Sequence, residues 1–155
     1  MKKLLILVLG TVALWAQPIT YSKNQTCLIR QFKLYQYPSW VAKTTTKQNK
    51  DAYFSSPKSM FEYYYNPIKW TSLGAISSSD IKNVYVTDFK NLDKINAKDA
   101  YYVYGSNIIS PAGDDLVPFL SKADAQNFSK KHNGKRILKF EEVKNSLIRL
   151  LNGRI

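Results

Sequence analysis

The stretch from residue 52 to residue 67 reads AYFSSPKSMFEYYYNP, and it predicts a strand that turns directly into a helix. Ser56 is a favoured N-cap residue, and Pro57 follows at the first helical position, where its missing N–H costs nothing. Apolar side chains then recur at spacings of three and four, as they do on one face of a helix. The helix should end at Pro67, because the residue before a proline is pushed out of the helical region.

The sequence around this helix predicts a compact ββαβ unit. The side chains of residues 40–46 alternate in polarity and include several β-branched residues, which favours a strand. Residues 47–51 are predicted to form a polar turn. The turn joins that strand to the short strand at 52–55, so the two make a hairpin. A further strand is predicted at 80–88, after the helix. The polar segment 17–26 is expected to be a loose lead-in.

The same order of elements recurs in the second part of the chain. Strands are predicted at 100–105 and 116–119, followed by a helix that Ser121 caps and that ends at Asn133-Gly134. A strand at 136–140 and an amphipathic helix at 141–151 complete this part.

Two aromatic positions align the two parts. Phe54 leads into the first helix as Phe119 leads into the second, and both are expected to be core residues. We therefore predict an α+β fold of two similar ββαβ units packed together, plus a C-terminal helix. The first half would span 27–95 and the second half 100–151. The two halves are expected to pack together, because either half alone is too small to bury much core.

The N-terminus has the pattern of an export signal. Lys2 and Lys3 precede an apolar run from Leu4 to Trp15, which is too short for a membrane span. Residues 1–16 are therefore predicted to be a signal peptide cleaved after Ala16, and the mature protein to be periplasmic.

The chain is strongly basic, with 23 Lys and Arg against 11 Asp and Glu and a formal net charge of +12. The basic residues are scattered and the protein is predicted to be exported, so a nucleic-acid partner is not expected. The charge favours a solvated basic surface, or else peripheral contact with an anionic membrane surface or an acidic partner.

Several stretches of this sequence resemble the NosL family, the accessory proteins of nitrous oxide reductase. In the second half they are Tyr101-Tyr-Val-Tyr-Gly-Ser106, the turn Pro111-Ala-Gly113, Pro118-Phe119, Ala125 with Phe128, Asn133-Gly134 and Ile137 to Phe140. In the first half, Tyr53 to Tyr63 resembles the family's first helix. The resemblance covers residues from Cys27 to about Val143, and it implies two similar ββαβ halves.

The resemblance also implies an extracytoplasmic copper(I) chaperone that assists maturation of a copper enzyme such as nitrous oxide reductase. The family carries a Cys-x-x-Cys-Gly-Met motif, a Cys-Met pair on the first helix and a methionine in a Gly-Pro-Met-Gly turn. This sequence keeps Cys27 but has Arg30 at the second cysteine, Ser59 in the helix pair and Ala112 in the turn.

Three soft donors remain in the predicted mature chain: Cys27, Met60 and His132. Thiolate, thioether and imidazole are the ligands that copper(I) prefers, so these three are the candidate metal ligands. Each also has a structural interpretation. Cys27 fits a buried thiol, Met60 fits the core face of its helix, and His132 fits a surface position at a helix C-terminus.

The sequence predicts a non-enzyme, because it has no nucleophile elbow, phosphate loop or zinc spacing. Asp114-Asp115 is interpreted as a solvated loop turn rather than a cation site. Two functions stay open: a copper(I)-binding accessory protein whose partner is a copper enzyme or its assembly machinery, and a non-metal scaffolding protein that binds its partner through a basic, Tyr-rich surface.

Overall fold

The computed structural model describes residues 17–154, which form an α+β fold of two antiparallel sheets. The predicted signal peptide at 1–16 lies outside the described residues. Within 17–154, none of the helices has the length and apolar character that a membrane crossing requires.

The strands of the described chain are β1 Ala42–Thr46, β2 Asp51–Phe54, β3 Ile81–Thr87, β4 Lys94–Asn96, β5 Tyr101–Tyr104, β6 Leu116–Phe119 and β7 Arg136–Lys139. The α-helices are α1 Pro57–Tyr65, α2 Lys122–Lys131 and α3 Asn145–Leu151. Short 3₁₀ helices lie at Leu34–Gln36, Pro38–Trp40, Pro67–Leu73, Ser78–Asp80 and Phe140–Glu142.

The two sheets have matching topology, which confirms the predicted pair of ββαβ units. The first has the strand order β2-β1-β3-β4 and the second β6-β5-β7, so the first strand of each unit is central. Phe54 closes β2 opposite Ala42, the first residue of β1. Phe119 closes β6 opposite Tyr101, the first residue of β5. The two phenylalanines therefore occupy equivalent register positions.

Both helices that complete the units begin where the sequence predicts. Ser56 caps α1, its hydroxyl accepting a hydrogen bond from the Ser59 N–H at 3.1 Å. Ser121 caps α2 in the same way through the Asp124 N–H, at 3.3 Å. A capping side chain satisfies a backbone N–H that has no partner within the helix, which is why both helices start at a serine.

Helix α1 lies in the middle of the molecule and joins the two halves. Its residues from Pro57 to Tyr63 are all buried, and it packs against β1, β2, β6 and α3. The Phe61 ring lies 5.4 Å from that of Tyr102 and 4.9 Å from that of Phe140, measured between centroids. A helix this deeply buried places its polar residues inside the protein as well as its apolar ones.

Most of the apolar core forms one large cluster that includes Phe54, while Phe119 belongs to a smaller cluster with Trp40 and Val103. Phe54 is 0% exposed and Phe119 is 2% exposed, which confirms that both are core residues.

Two segments differ from the sequence-based prediction. The lead-in is not loose: Ile19 is buried, and the Gln17 carbonyl accepts a hydrogen bond from the Lys94 N–H at 2.9 Å. Residues 89–99, for which the sequence predicts no strand, contain β4, the strand beside this lead-in. A short edge strand of three residues carries too little periodicity to be seen in sequence.

The last helix begins later than predicted, at Asn145 instead of residue 141. Phe140–Glu142 is a separate 3₁₀ turn, in which the Glu142 carboxylate accepts a hydrogen bond from the Lys139 N–H at 2.7 Å. Val143 interrupts the helical path with a non-helical backbone, at φ −76° and ψ 89°, and its carbonyl accepts a hydrogen bond from the Tyr65 hydroxyl.

Candidate metal centre

Cys27 is completely buried at the entrance to a tight turn. Its backbone carbonyl accepts a hydrogen bond from the Gln31 N–H at 3.0 Å, and its Sγ accepts one from the Arg30 N–H at 3.3 Å. The thiol is 0% exposed, so a ligand reaches it only when the surrounding segment opens.

Cys27 and Met60 belong to the same large apolar cluster, whereas His132 lies beside the smaller one. Cys27 and Met60 are both fully buried members of the large apolar cluster. His132 caps the C-terminus of α2, and its ring lies 4.4 Å from that of Phe128, which packs on the smaller cluster. The structure therefore gives two of the three candidate donors a common core and gives the third different neighbours.

At the position of the family's second cysteine, Arg30 forms a partly buried ion pair with Glu62. Arg30 donates through Nη2 to Glu62 Oε2 at 3.0 Å and to Asn152 Oδ1 at 2.7 Å. The other carboxylate oxygen, Oε1, accepts a hydrogen bond from Arg154 at 2.9 Å, and Oε2 accepts a second one from the Asn152 amide at 3.0 Å. The Glu62 side chain is only 8% exposed. This network joins the Cys27 turn to α1 and to the C-terminal segment.

The turn that carries a methionine in the family is held here by a lysine. Lys58 is 2% exposed, and its Nζ donates to the carbonyl of Ala112 at 2.6 Å and to that of Leu151 at 3.2 Å. Burial lowers the pKa of Lys58, and the positive charge of Arg30 adds to that shift. Arg30 therefore stands at one position where the resemblance places a soft donor, and Lys58 contacts the backbone of another, Ala112.

Asp115 supplies a buried carboxylate beside Lys58. Its Oδ1 accepts hydrogen bonds from the backbone N–H groups of Lys58 and Leu116, both at 2.8 Å, and its Oδ2 accepts one from the Ser110 hydroxyl at 2.7 Å. Burial raises the pKa of this carboxyl group, and the hydrogen bonds oppose that shift. The interpretation of Asp114-Asp115 as a solvated turn was wrong for Asp115, which is 4% exposed.

This arrangement does not reproduce a multi-donor copper site. Copper(I) is a monovalent cation that prefers soft ligands, and here three of the family's donor positions hold Arg30, Ser59 and Ala112. Among residues 17–154, no set of three or more His, Cys, Asp and Glu side chains is grouped so that it could hold a metal ion. Two of the soft donors, Cys27 and Met60, are buried in the same large apolar cluster.

The buried charges were the part of the site that sequence reasoning missed. Lys58 and Glu62 lie on a helix whose other side chains predict an amphipathic surface helix, and nothing in their spacing indicates burial. The substitution at Arg30 was visible in the sequence, but its partner Glu62 is 32 residues away.

Comparison with known proteins agrees with the resemblance found in the sequence. A family model described as NosL matches residues 18–148. The crystal structure of the copper chaperone NosL from Shewanella denitrificans is similar in fold, with a TM-score of 0.72 over 84% of this chain and 98% of that chain. The two sequences are 23% identical. No protein of curated function matches this sequence.

Proposed function

This chain belongs to the NosL family, and on that premise we propose that it is an extracytoplasmic accessory protein that handles copper(I) for a copper enzyme such as nitrous oxide reductase. The observation that carries the proposal is the fold shared with a copper chaperone over nearly the whole of that chain. Its role is accessory rather than catalytic.

Cys27 is the residue through which copper(I) would be held. A thiolate is the strongest donor among the soft side chains of this protein, and Met60 supplies a thioether within the same core. Two donors bind copper(I) more weakly than the family's full set of donors would. A weakly bound copper ion is more easily transferred to a partner protein. His132, with its different neighbours, is not part of this proposed ligand set.

A competition titration of the reduced mature protein against a copper(I) chelator tests this function. We expect at most one copper ion per chain, complete loss of binding in Cys27→Ala, and weaker binding in Met60→Leu, which keeps the side-chain volume but removes the sulfur. His132→Ala serves as the matched control and should bind as the unmodified protein does. No uptake by the unmodified protein, or equal uptake by Cys27→Ala, would refute copper handling.

A scaffolding role is the second candidate, and the ion pair of Arg30 with Glu62 favours it. That pair joins the Cys27 turn to α1 without a metal ion. Assembly of the copper enzyme in cells that carry only Cys27→Ala separates the two roles. A scaffold would still support assembly, whereas a copper carrier would not.

The proposed location outside the cytoplasm rests on the sequence of residues 1–16. N-terminal sequencing of the protein from a periplasmic fraction should start at or near Gln17. Recovery of soluble protein that still begins with Met1 from the cytoplasm would contradict export.

A further inference from the structure

A cavity of about 280 Å³ opens between α1 and α3, next to the network around Glu62. Its lining is polar apart from the buried side chain of Ile148: Glu62, Asn66, Lys69, Asn145, Arg149, Asn152 and Arg154. Glu62 in α1 and Asn152 at the end of α3 lie 90 positions apart in the sequence, so the cavity exists only when α3 docks on α1.

The charge of this cavity is positive. Glu62 is the one acidic residue in its lining, and both of its oxygens already accept hydrogen bonds from Arg30, Asn152 and Arg154. Lys69 and Arg149 also line the cavity and are exposed, and neither forms an ion pair with any residue in 17–154. An anion entering the cavity would meet cations whose charge is not neutralised locally.

A second hollow of about 170 Å³ extends the site along α3. It shares Arg149 and Arg154 with the cavity and adds Ser146 and Leu150. Leu150 is 47% exposed, so an apolar contact lies beside the cationic one. A small free anion would use only the cavity, whereas a peptide segment can use both hollows at once.

We propose that this double hollow binds an acidic segment of a protein partner. One carboxylate of the segment lies in the cavity between Lys69 and Arg149, and the apolar side chain next to it packs on Leu150. Arginine favours this ligand because its planar guanidinium group can donate two parallel hydrogen bonds to a carboxylate. The inference goes beyond the proposed function by naming the chemistry of the partner's surface, and it uses that function only in taking the partner to be a protein.

Fluorescence anisotropy with a labelled hexapeptide of alternating Glu and Leu tests the proposal on the mature protein. We expect saturable binding that falls about tenfold or more in Lys69→Ala/Arg149→Ala, since both charge-assisted hydrogen bonds to the carboxylate are lost. Lys122→Ala/Lys130→Ala removes the same charge from the exposed face of α2 and should change binding by less than about twofold. The four substituted side chains are all exposed, so both double variants should fold.

Three further measurements fix the ligand and the contact. The same peptide with Gln in place of Glu should not bind, citrate should compete only weakly, and Leu150→Ser should weaken the peptide but not citrate. Equal losses of peptide binding in the two double variants would show that binding depends only on overall charge. Citrate binding as tight as peptide binding would show a site for small anions. Either result overturns the proposal. Peptide binding should persist in Cys27→Ala, so failure of copper handling and failure of this site are distinguishable.

Discussion

The ammonium group of Lys58 donates a hydrogen bond to the carbonyl oxygen of Ala112 over 2.6 Å, although the two residues lie 54 positions apart in the sequence. Ala112 occupies the turn position where the resemblance to the NosL family places a methionine. A buried cation therefore lies against the backbone of a position that would otherwise offer a thioether to copper(I). At Arg30 a cation itself stands where the resemblance places the second cysteine, and these two replacements lead to the first prediction.

Restoring both donors should strengthen copper(I) binding. Arg30→Cys/Ala112→Met adds a thiol and a thioether and removes one cation, so the chelator competition should show affinity about tenfold higher or more, which corresponds to roughly 1.4 kcal/mol. Arg30→Ala/Ala112→Leu is the matched control, because it removes the same charge and adds no donor. Equal gains in both variants would mean that repulsion by Arg30, not the missing sulfur atoms, limits binding.

Loss of the Glu62 charge should destabilise the protein more than loss of an exposed carboxylate. Glu62→Gln leaves Arg30 partly buried without a counter-charge, and we expect a cost of about 2–3 kcal/mol in the free energy of unfolding. Asp51→Asn, which breaks the more exposed pair with Lys43, should cost less than about 1 kcal/mol. Urea unfolding followed by circular dichroism measures both, and equal costs would show that the Glu62 network contributes no more than a surface pair.

The stability contribution of Asp115 should depend on pH with a definite sign. Because burial raises its pKa above the ordinary value of 3.8, the folded state favours the protonated form. The stabilisation that Asp115 contributes to the folded state is therefore greatest at pH values below 3.8. It is lost as the pH rises through the raised pKa of Asp115 in the folded state. The difference in unfolding free energy between the unmodified protein and Asp115→Asn should shrink from about pH 3 towards neutrality.

Asp114→Asn, at the exposed neighbouring carboxyl group, is the control for loss of one charge. A difference for Asp115→Asn that grows with pH would indicate that attraction between the Asp115 carboxylate and Lys58 outweighs the cost of burying the carboxylate.

The two equivalent phenylalanines should contribute similarly to stability. Phe54 is the last residue of β2 and Phe119 the last residue of β6. Phe54→Ala and Phe119→Ala each remove a buried ring, and each should cost about 3–5 kcal/mol in unfolding free energy. Phe32, which is 39% exposed, provides the comparison, and Phe32→Ala should cost clearly less. Costs below about 1 kcal/mol at both buried positions would contradict their role in the two cores.

The repeated architecture was predictable because its determinants are local. Ser56 with Pro57, and later Ser121, start helices through their own side-chain and backbone geometry, whatever surrounds them. The strands before and after the first helix show alternation of buried and more exposed side chains within four to seven residues. What local patterns missed was the three-residue strand β4 and the interruption before α3, where Val143 has a non-helical backbone and its carbonyl binds the Tyr65 hydroxyl.

The soft donors were also visible in the sequence, but their grouping was not. Cys27, Met60 and His132 are identified by residue type alone, whereas the separation of His132 from the other two depends on which cluster α2 packs against.

The sequence by itself determined the family, the two ββαβ units and the loss of soft donors at Arg30 and Ala112. Only the tertiary structure decided that Lys58, Glu62 and Asp115 are buried and which groups they bind. Helix spacing describes an isolated element, and it cannot tell that α1 is covered on all sides by both sheets and α3. Burial of a charge is set by what packs around it, and the side chains of Lys58 and Glu62 bind groups that lie 32 to 93 positions away in the chain.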